Sequence, residues 1–440
     1  MSKYIITGQR SLQGSVRIGG AKNASYKIMI AALLGSSQSR ILNFSRISDV
    51  ELVAKIIAYL GAQVKKNGDR TYSIDPSSLN NYKIKPEDGA QGRFSTIFIP
   101  VLLAKFGRAS VPTPGGDKIG KRPLDRHFDG LKALGAKIEI RHGIYEVTAD
   151  QLVGTTYRFA KNTHTGTETM ILAGTLAQGT TTLENAALEP EIDDLIKFLN
   201  QMGAKIQRLP NRVIKIEGVT KLGGTIHQLM PDRNEAVSYA CAALATKGDV
   251  IIQNAQPHDL TAFLEKLSEA GGEYQVGEFG MRFFYTHPLK ATQLTTQVAP
   301  GFMTDWQPLW ATLMTQAEGI SQIHETIMTN RFQYMDELNQ MGADIKTFQP
   351  KVSHPEQVYN FDLEDDILAN QHAIQITGAT PLKAGHFKVK DLRHGATLVL
   401  AAMAATGTSI IDNVEMIDRG YEDLADRLNS MGAQIELISE

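Results

Sequence analysis

Cysteine is almost absent from this sequence of 440 residues, which contains only Cys241. A single cysteine cannot form an internal disulfide. Cys241 lies in the apolar run Ser238-Tyr-Ala-Cys-Ala-Ala-Leu-Ala, a setting in which cysteine usually acts as a small hydrophobic side chain. We therefore expect Cys241 to pack in a core and to take no part in catalysis.

The sequence also lacks a strong net charge and a long apolar segment. Its 45 Lys and Arg residues balance 47 Asp and Glu residues, so no overall field attracts nucleic acid or an anionic membrane. The N-terminus has no apolar signal-peptide core, and the apolar run 94–104 is too short to span a bilayer. These absences predict a cytoplasmic protein without nucleic-acid or membrane partners.

Hydrophobic residues are present in quantity, at 42% of the chain. A chain of this length is too long for one core and long enough for two. Two domains are therefore expected, and any binding of anions has to rely on local groups of Lys and Arg.

One short phrase recurs six times along the chain. It has the form Leu/Met/Ala-Gly-Ala/Gly, then a polar residue, then a hydrophobic one, and its first glycines are residues 61, 135, 203, 271, 342 and 432. Each copy follows a helix-like pattern and precedes an alternating pattern, so the glycine is predicted to end a helix before a strand. The chain is thus predicted to contain six structural repeats.

A second signature precedes most of these phrases. It is an Ala-rich helical segment, then Gly and a short β-branched run, as in residues 173–185 and 401–413. Each repeat is predicted to read helix, strand, helix, strand. A helix rich in Ala and poor in charge is expected to be buried all round, which three repeats per domain would achieve, with their sheets outside. A solenoid of six repeats is the alternative that this pattern leaves open.

The richest segment for chemistry runs from Pro114 to His127 and reads Pro-Gly-Gly-Asp-Lys-Ile-Gly-Lys-Arg-Pro-Leu-Asp-Arg-His. Paired glycines allow the backbone to move over a ligand, and the cations suit phosphate or carboxylate. It is not the P-loop of nucleoside triphosphatases, because Arg122 stands where Ser or Thr would hold magnesium. An ordinary solvated loop is the simpler alternative for this segment taken alone.

Four further motifs accompany this glycine loop. They are Gly-Ala-Lys-Asn at 20–23, Pro-Asp-Arg-Asn-Glu at 231–235, Pro-Gly-Phe-Met-Thr-Asp at 300–305 and Glu-Thr-Ile at 325–327. In this order they resemble the enolpyruvyl transferases that act on UDP-N-acetylglucosamine at the start of peptidoglycan precursor synthesis. The resemblance spans essentially the whole chain.

The resemblance implies an α/β fold of two inside-out α/β barrels with three helix-strand repeats each. The first domain would comprise residues 1–21 and 230–440, and the second, residues 22–229, would carry a mobile loop at 112–123. The active site would lie in the cleft between them. The extra residues between Ile345 and Thr377, rich in acids, are expected to form a solvated extension without assigned function.

The family resemblance also implies the substrates and the site. Phosphoenolpyruvate would be held by cations and an amide, and the sugar nucleotide by the loop and neighbouring segments. The residues implied for phosphoenolpyruvate are Lys22, Asn23, Arg93, Arg122, Arg331 and Arg393. Those implied for UDP-N-acetylglucosamine are Asn23, Arg93, Arg122, Pro123, Leu124, Asp125, His127, His164, Gly166, Asp305 and Ile327.

The implied catalytic residues are Asp117, Asp305, Lys22 and Arg393. Asp305 would accept the proton of the sugar 3-hydroxyl as its oxygen attacks carbon 2 of phosphoenolpyruvate, and another group would protonate carbon 3. Phosphate would then leave from the tetrahedral intermediate. Lys22 would contact the phosphate of phosphoenolpyruvate.

The sequence departs from the family pattern at several positions. Asp117 replaces the usual loop cysteine, which is the residue that fosfomycin alkylates, so insensitivity to fosfomycin is expected. The usual Ser-Val-Gly-Ala-Thr segment is His164-Thr-Gly-Thr-Glu168, and His394 stands where a small residue is usual. Neither histidine has a further His, Cys or acid at metal-ligand spacing in the sequence, so no metal and no cofactor are expected.

Three alternatives to this function remain. The chain could act on shikimate 3-phosphate, on another UDP-sugar, or as a sensor that binds a UDP-sugar without turnover. The substrates expected are the two small molecules, and the chain is expected to be a monomer.

Overall fold

The computed structural model describes residues 2–68, 70–115 and 124–439. Within these ranges the chain forms two compact units, one of residues 2–19 and 231–439 (the first unit) and one of residues 20–115 and 124–230 (the second unit). Each unit has its own hydrophobic core.

The described residues form short strands and helices that alternate along the chain. The α-helices are α1 Lys22–Ala31, α2 Ser48–Tyr59, α3 Pro86–Gly89, α4 Phe98–Phe106, α5 Asp125–Ala133, α6 His164–Thr175, α7 Pro190–Gln201, α8 Arg233–Ala245, α9 Thr261–Glu269, α10 Gln307–Met314, α11 Met335–Gln340, α12 Pro355–Val358, α13 Leu392–Ala404 and α14 Leu424–Ser430. The strands are β1 Lys3–Thr7, β2 Gln13–Arg17, β3 Ser39–Leu42, β4 Gln63–Lys66, β5 Thr71–Asp75, β6 Arg108–Pro112, β7 Lys137–Arg141, β8 Ile144–Thr148, β9 Thr156–Arg158, β10 Thr180–Glu184, β11 Lys205–Leu209, β12 Val213–Glu217, β13 Ile226–Gln228, β14 Asp249–Gln253, β15 Glu273–Gly277, β16 Gly280–Phe284, β17 Gln293–Thr295, β18 Gly319–His324, β19 Asp344–Phe348, β20 Ala373–Gly378, β21 His386–Lys388, β22 Thr408–Asp412 and β23 Gln434–Ile438.

These strands form six separate sheets, three in each unit. In the first unit the strand orders are β21-β22-β1-β23, β15-β16-β14-β2 and β17-β18-β20-β19. In the second unit they are β11-β12-β10-β9, β13-β3-β5-β4 and β6-β8-β7. Separate sheets around two cores are not the continuous stack of a solenoid.

The centre of each unit is built from helices that are largely buried. In the first unit α8, α10 and α13 pack against one another, and every residue of these three helices is buried. Cys241 lies on α8 and is fully buried, as predicted, and its burial raises the pKa of the thiol. In the second unit α1, α4 and α6 have the corresponding positions.

The six recurring glycines all stand just after a helix and just before a strand. They are Gly61, Gly135, Gly203, Gly271, Gly342 and Gly432, with φ between 77° and 107°. Such positive φ angles are readily adopted by glycine and strained for residues with a Cβ atom. The predicted role of this phrase is therefore confirmed.

The repeats contain more strands than the sequence predicted. In one repeat β11 is followed by β12, which pairs antiparallel with both β11 and β10, and β9 adds in parallel to β10. The turn between β11 and β12 contains Asn211 and Arg212, both at positive φ. The prediction of two strands per repeat was therefore wrong, and in this repeat the turn has no glycine to mark the hairpin in the sequence.

The acidic extension between Ile345 and Thr377 is also not solvated throughout. Tyr359, Phe361 and His372 are buried there, and the rings of Tyr359 and Phe361 stack at 4.8 Å. His372 Nε2 lies 2.7 Å from Asp366 Oδ2, so one of the acids is used inside the extension. Part of the extension is therefore packed around aromatic rings and is not solvated.

No helix within the described ranges combines the length and hydrophobicity needed to cross a lipid bilayer.

We predict that Gly203→Ala lowers the free energy of unfolding by roughly 1–2 kcal/mol, the usual cost of positive φ for a residue with a Cβ. Gly203 has φ 107° and no atom near the site of a new Cβ, so only backbone strain changes. Urea denaturation monitored by circular dichroism measures the effect.

Gly223→Ala is the matched control in the same unit. Its backbone is not at positive φ, and its Cβ would meet Met202 O at an ordinary 3.7 Å, so its midpoint should match that of the unchanged protein. Equal midpoints for Gly203→Ala and Gly223→Ala would contradict the predicted strain.

Candidate functional site

The first turn of α1 presents Lys22 and Asn23. The chain approaches it through Gly20, where a Cβ would lie 2.1 Å from the carbonyl oxygen of Asn43, so only glycine allows this close passage. Lys22 Nζ lies 2.5 Å from Asp49 Oδ2 and its side chain is 12% exposed. The predicted phosphate-binding ammonium is thus already held by a carboxylate and still reaches the surface of the unit.

Arg93 opens a 3-10 turn, Arg93–Ile97, that leads directly into the buried helix α4. Burial raises the pKa of Tyr145, and the positive charge of Arg93 opposes that rise, so the guanidinium lies within electrostatic range of this phenol. Arg93 is half-buried. It therefore has a fixed place at the start of a central helix.

The glycine loop is described only at its two ends. Asp117, Arg122 and Pro123 lie outside the described residues. The predicted loop start at Pro112 was wrong, because Pro112 ends β6 opposite Ile144.

Gly115 has a different role from the predicted flexibility. Its N–H donates to Ala90 O at 2.9 Å, and a Cβ on Gly115 would lie 2.3 Å from that oxygen. Glycine at this position permits close packing of two backbone segments.

Beyond the loop, Leu124 precedes α5 and Asp125 is its first residue. His127 is buried, with Nδ1 2.9 Å from Thr169 Oγ1 and Nε2 3.2 Å from Thr165 Oγ1. Both hydroxyls belong to α6. His127 therefore joins α5 to the helix whose first turn contains two further predicted residues, His164 and Gly166.

The first turn of α6 is capped by Thr163, whose hydroxyl accepts from the backbone N–H of Gly166 at 3.2 Å. His164 is the first residue of the helix. Its Nε2 lies 3.1 Å from Glu168 Oε1 and 3.3 Å from Lys27 Nζ. Lys27 and Glu168 are almost wholly buried and lie 2.6 Å apart.

In the first unit, Asp305 lies just before α10 and contacts two arginines. Its Oδ1 is 3.1 Å from Arg331 and its Oδ2 is 3.3 Å from Arg393. The side chains of Arg331 and Arg393 are only 4% and 7% exposed, whereas the side chain of Asp305 is 26% exposed. The structure thus brings together three predicted residues that are up to 88 positions apart.

Arg393 is fixed from several directions. Asp391 caps α13 by accepting from the backbone N–H groups of Arg393 and His394. Arg393 Nη1 donates to Tyr421 Oη at 3.0 Å, and that hydroxyl lies 2.7 Å from Ser238 Oγ. Burial would lower the pKa of Arg393, but Tyr421 and Asp305 raise it, so the guanidinium stays charged.

Glu325 forms a buried support beneath Asp305. Thr304 Oγ1 donates to its Oε2 at 2.9 Å, and the backbone N–H groups of Ile327 and Met328 donate to its Oε1. Burial raises the pKa of Glu325 despite these bonds. Ile327 therefore serves through its backbone in this turn, and Glu325 holds the residue that precedes Asp305.

The sequence did not identify Lys27, Glu168, Asp49 or Tyr421 as parts of these clusters. Lys27 did have a signal, because it is the one charged residue between Asn23 and Gly35 in an otherwise apolar stretch. Its partner could not be predicted, since Glu168 is 141 positions away.

Two sequence predictions about histidine need correction. His164 has an acid, Glu168, one helical turn away, and His394 Nε2 lies 3.3 Å from Glu337 Oε2. Burial would raise the pKa of Glu337, but hydrogen bonds from His394 and Lys390 hold it at about 2. Neither contact gathers three such groups, and no cluster of three or more His, Cys, Asp or Glu suited to a metal ion occurs in the described ranges.

Solved structures share this fold over the whole chain. The enolpyruvyl transferase NikO from Streptomyces tendae matches with a TM-score of 0.87 at 23% identity, covering 100% of this chain and 99% of that one. EPSP synthase from Acinetobacter baumannii matches with a TM-score of 0.74 at 17% identity, covering 100% of both chains. The fold that the family resemblance implied is thus confirmed as that of enolpyruvyl transferases.

A family model described as EPSP synthase (3-phosphoshikimate 1-carboxyvinyltransferase) matches residues 6–428. Two relatives, from Halothermothrix orenii and Acidobacterium capsulatum, are both named UDP-N-acetylglucosamine 1-carboxyvinyltransferase. Each is 39% identical and covers 100% of this chain, and this chain covers 100% and 96% of them. The chain therefore belongs to the EPSP synthase family, in its UDP-N-acetylglucosamine 1-carboxyvinyltransferase branch, which confirms the resemblance in its motifs.

We predict that Tyr421→Phe lowers stability by about 1–2 kcal/mol, because the buried Arg393 guanidinium loses an acceptor. Differential scanning calorimetry measures the change.

Ser238→Ala is the comparison for Tyr421→Phe, since it removes the bond to the same hydroxyl, together with the bond from Ser238 Oγ to Asn234 O, and leaves the bond from Arg393. Ser238→Ala should lower stability less than Tyr421→Phe does. A larger loss in Ser238→Ala would contradict the view that the bond from Arg393 is the important one.

Proposed function

We propose that this chain transfers the enolpyruvyl group of phosphoenolpyruvate to the 3-hydroxyl of UDP-N-acetylglucosamine and releases phosphate. The observation that carries the proposal is the placement of Asp305 against Arg331 and Arg393, a carboxylate and two buried cations at one place in the first unit. Membership of the carboxyvinyltransferase branch gives the chemistry and both substrates.

The substrate phosphoenolpyruvate carries a carboxylate and a phosphate, and each needs fixed cations. We assign the carboxylate to Arg331 and Arg393, because guanidinium groups bind carboxylates in a bidentate manner. Lys22, Asn23, Arg93 and Arg122 are assigned to the phosphate side. Because the protein is nearly neutral overall, this local charge has to provide the attraction.

The assigned base is Asp305. In the structure both its oxygens face arginine, so two guanidinium groups compensate its negative charge. A substrate carboxylate would compete for the same guanidinium groups and weaken their hold on Asp305. Binding of phosphoenolpyruvate would thereby raise the basicity of Asp305 when the sugar hydroxyl has to be deprotonated.

Asp117 is assigned as the acid that protonates carbon 3 of phosphoenolpyruvate. An ordinary aspartate, with a pKa near 3.9, is ionised at neutral pH. Negative charge on the substrate and exclusion of water by the loop would raise its pKa, and Lys118 and Lys121 would oppose that rise. The remaining sugar-nucleotide contacts are assigned to Pro123, Leu124, Asp125, His127, His164, Gly166 and Ile327.

Release of inorganic phosphate from phosphoenolpyruvate tests the reaction. UDP-N-acetylglucosamine should support release, and shikimate 3-phosphate and other UDP-sugars should not. Release with shikimate 3-phosphate alone, or binding of the sugar nucleotide without release, would contradict the proposal. The expectation of a cytoplasmic monomer stays a prediction.

For Asp305→Asn we predict a loss of kcat of about 10²–10⁴-fold, the usual contribution of general base catalysis. The KM for phosphoenolpyruvate should not rise, because Arg331 and Arg393 remain. Steady-state phosphate release with each substrate varied in turn gives both constants.

The matched control is Asp249→Asn, which breaks another Asp–Arg pair of the first unit, that of Asp249 with Arg282. This pair joins β14 to β16 and both side chains are 41% exposed, so kcat should stay within about twofold of the unchanged enzyme. Full turnover in Asp305→Asn would refute its role as base.

For fosfomycin we predict no time-dependent loss of activity, since a carboxylate is a poorer nucleophile than a thiolate. Asp117→Cys should retain turnover and become sensitive, whereas Asp117→Ala should lose kcat more than substrate affinity. Progress curves after preincubation with fosfomycin measure this. Inactivation of the unchanged enzyme, or full turnover in Asp117→Ala, would contradict the assignment.

A further inference from the structure

Lys27, Glu168 and His164 form a buried polar cluster (the Lys-Glu-His cluster) between α1 and α6 in the second unit. Lys27 Nζ lies 2.7 Å from Glu168 Oε1 and 2.6 Å from Oε2, and 3.3 Å from His164 Nε2. The side chains of Lys27 and Glu168 are 2% and 0% exposed. His164 is 20% exposed and is the member of the cluster that reaches the surface of the unit.

Stability alone gives a poor account of such a pair. Removing two charges from water costs several kcal/mol each, and replacing a buried ion pair by apolar residues is often neutral or stabilising. The neighbours of Lys27 along α1 are apolar and buried, as in Ile28 and Met29, so an apolar side chain would suit this position. The cluster therefore calls for a role beyond folding.

The geometry limits what His164 can do. Its Nε2 is engaged by Lys27 and Glu168, while its Nδ1 has no hydrogen-bond partner among the residues that the structure describes. A neutral ring carries its proton on Nδ1 if Lys27 donates to Nε2, and on Nε2 if the ring donates to Glu168, whereas a protonated ring carries one on both nitrogens. Nδ1–H is a donor in the first tautomer and in the protonated ring.

The surrounding charges favour the protonated ring. Burial and Lys27 lower the pKa of His164, but Glu168 and Glu189 outweigh them, so the pKa of His164 is raised. Lys27 stays charged, because Glu168 raises its pKa against the effect of burial. The positive end of the α6 dipole opposes the charge on the ring but, like the ring, attracts an anionic ligand.

We propose that Lys27 and Glu168 are positioning residues for the sugar nucleotide, which hold His164 so that its Nδ1–H binds a phosphate oxygen of that substrate. This inference rests on the proposed function, in which His164 contacts UDP-N-acetylglucosamine. The cluster thus offers the substrate one charge-assisted donor.

The test removes the pair as a unit, with Lys27→Met and Glu168→Thr combined, so that no buried charge is left alone. Steady-state kinetics should show a KM for UDP-N-acetylglucosamine raised about tenfold, the loss expected for one charge-assisted hydrogen bond. The kcat and the KM for phosphoenolpyruvate should stay within about twofold. Isothermal titration calorimetry with UDP-N-acetylglucosamine should show the same loss in Kd.

A cycle with His164→Ser separates positioning from a general structural effect. His164→Ser alone should raise the KM for the nucleotide about as much as removal of the pair. When all three changes are combined, no further loss should appear, because the pair acts only through His164. Independent, multiplying losses in the triple variant would overturn the proposal, as would an unchanged KM in the pair variant.

Two further variants keep the test decisive if the combined variants do not fold. Glu168→Asp keeps the charge but withdraws the carboxylate by one methylene, so it should raise the KM for the nucleotide about threefold, and no rise would contradict the proposal. His227→Gln breaks another buried histidine–carboxylate contact of the second unit, with Asp194, and should lower the Tm without changing this KM. A raised KM in His227→Gln would show that any loss of packing has this effect and would overturn the proposal.

The design also separates this inference from the proposed reaction. If the unchanged enzyme bound UDP-N-acetylglucosamine without releasing phosphate, the proposed reaction would be wrong. The Kd values for the nucleotide would still decide the role of Lys27 and Glu168. An active enzyme with no change in the pair variant would refute only the positioning role. Absence of nucleotide binding would overturn both.

Discussion

Burial of the central helices is the constraint on which the rest of this structure depends. A buried helix cannot carry a charge along its length unless a partner neutralises it there. Ionisable groups therefore collect at the helix starts, where neighbouring segments provide partners. Lys22 and His164 open α1 and α6, Arg393 lies in the first turn of α13, and Arg93 and Asp305 come just before α4 and α10. The same architecture thus supplies a core and a set of polar helix starts.

Two of the cations at these starts are held in place by carboxylate or hydroxyl groups. Lys22 is paired with Asp49, and Arg393 with Asp305 and Tyr421. Such pairing limits the desolvation cost of the charge and fixes its position before substrate binds. It also sets a condition on the substrate, which has to offer charges that compete with the existing partners. A molecule with a carboxylate and a phosphate meets that condition, whereas a neutral one does not.

The sequence predicted those features that depend on local order along the chain. The six glycines at positive φ, the apolar central helices and the motifs around Lys22, Asp305 and Arg393 are of this kind. It did not predict the β11–β12 hairpin, whose turn residues Asn211 and Arg212 are not glycine, or the burial of aromatic rings in the acidic extension. The pairing of Lys27 with Glu168 was also missed, because it depends on a distance in space between residues far apart in sequence. Nothing in either local pattern fixes that distance.

Three ionisable side chains of the second unit depend on one another. His164 and Glu168 both contact Lys27. A carboxylate placed at 168 without Lys27 would be an uncompensated buried charge, and so would Lys27 without Glu168. His164 contacts both members and would lose its fixed orientation if either were removed. These three positions therefore form one physical unit, in which the identity of each side chain is constrained by the other two.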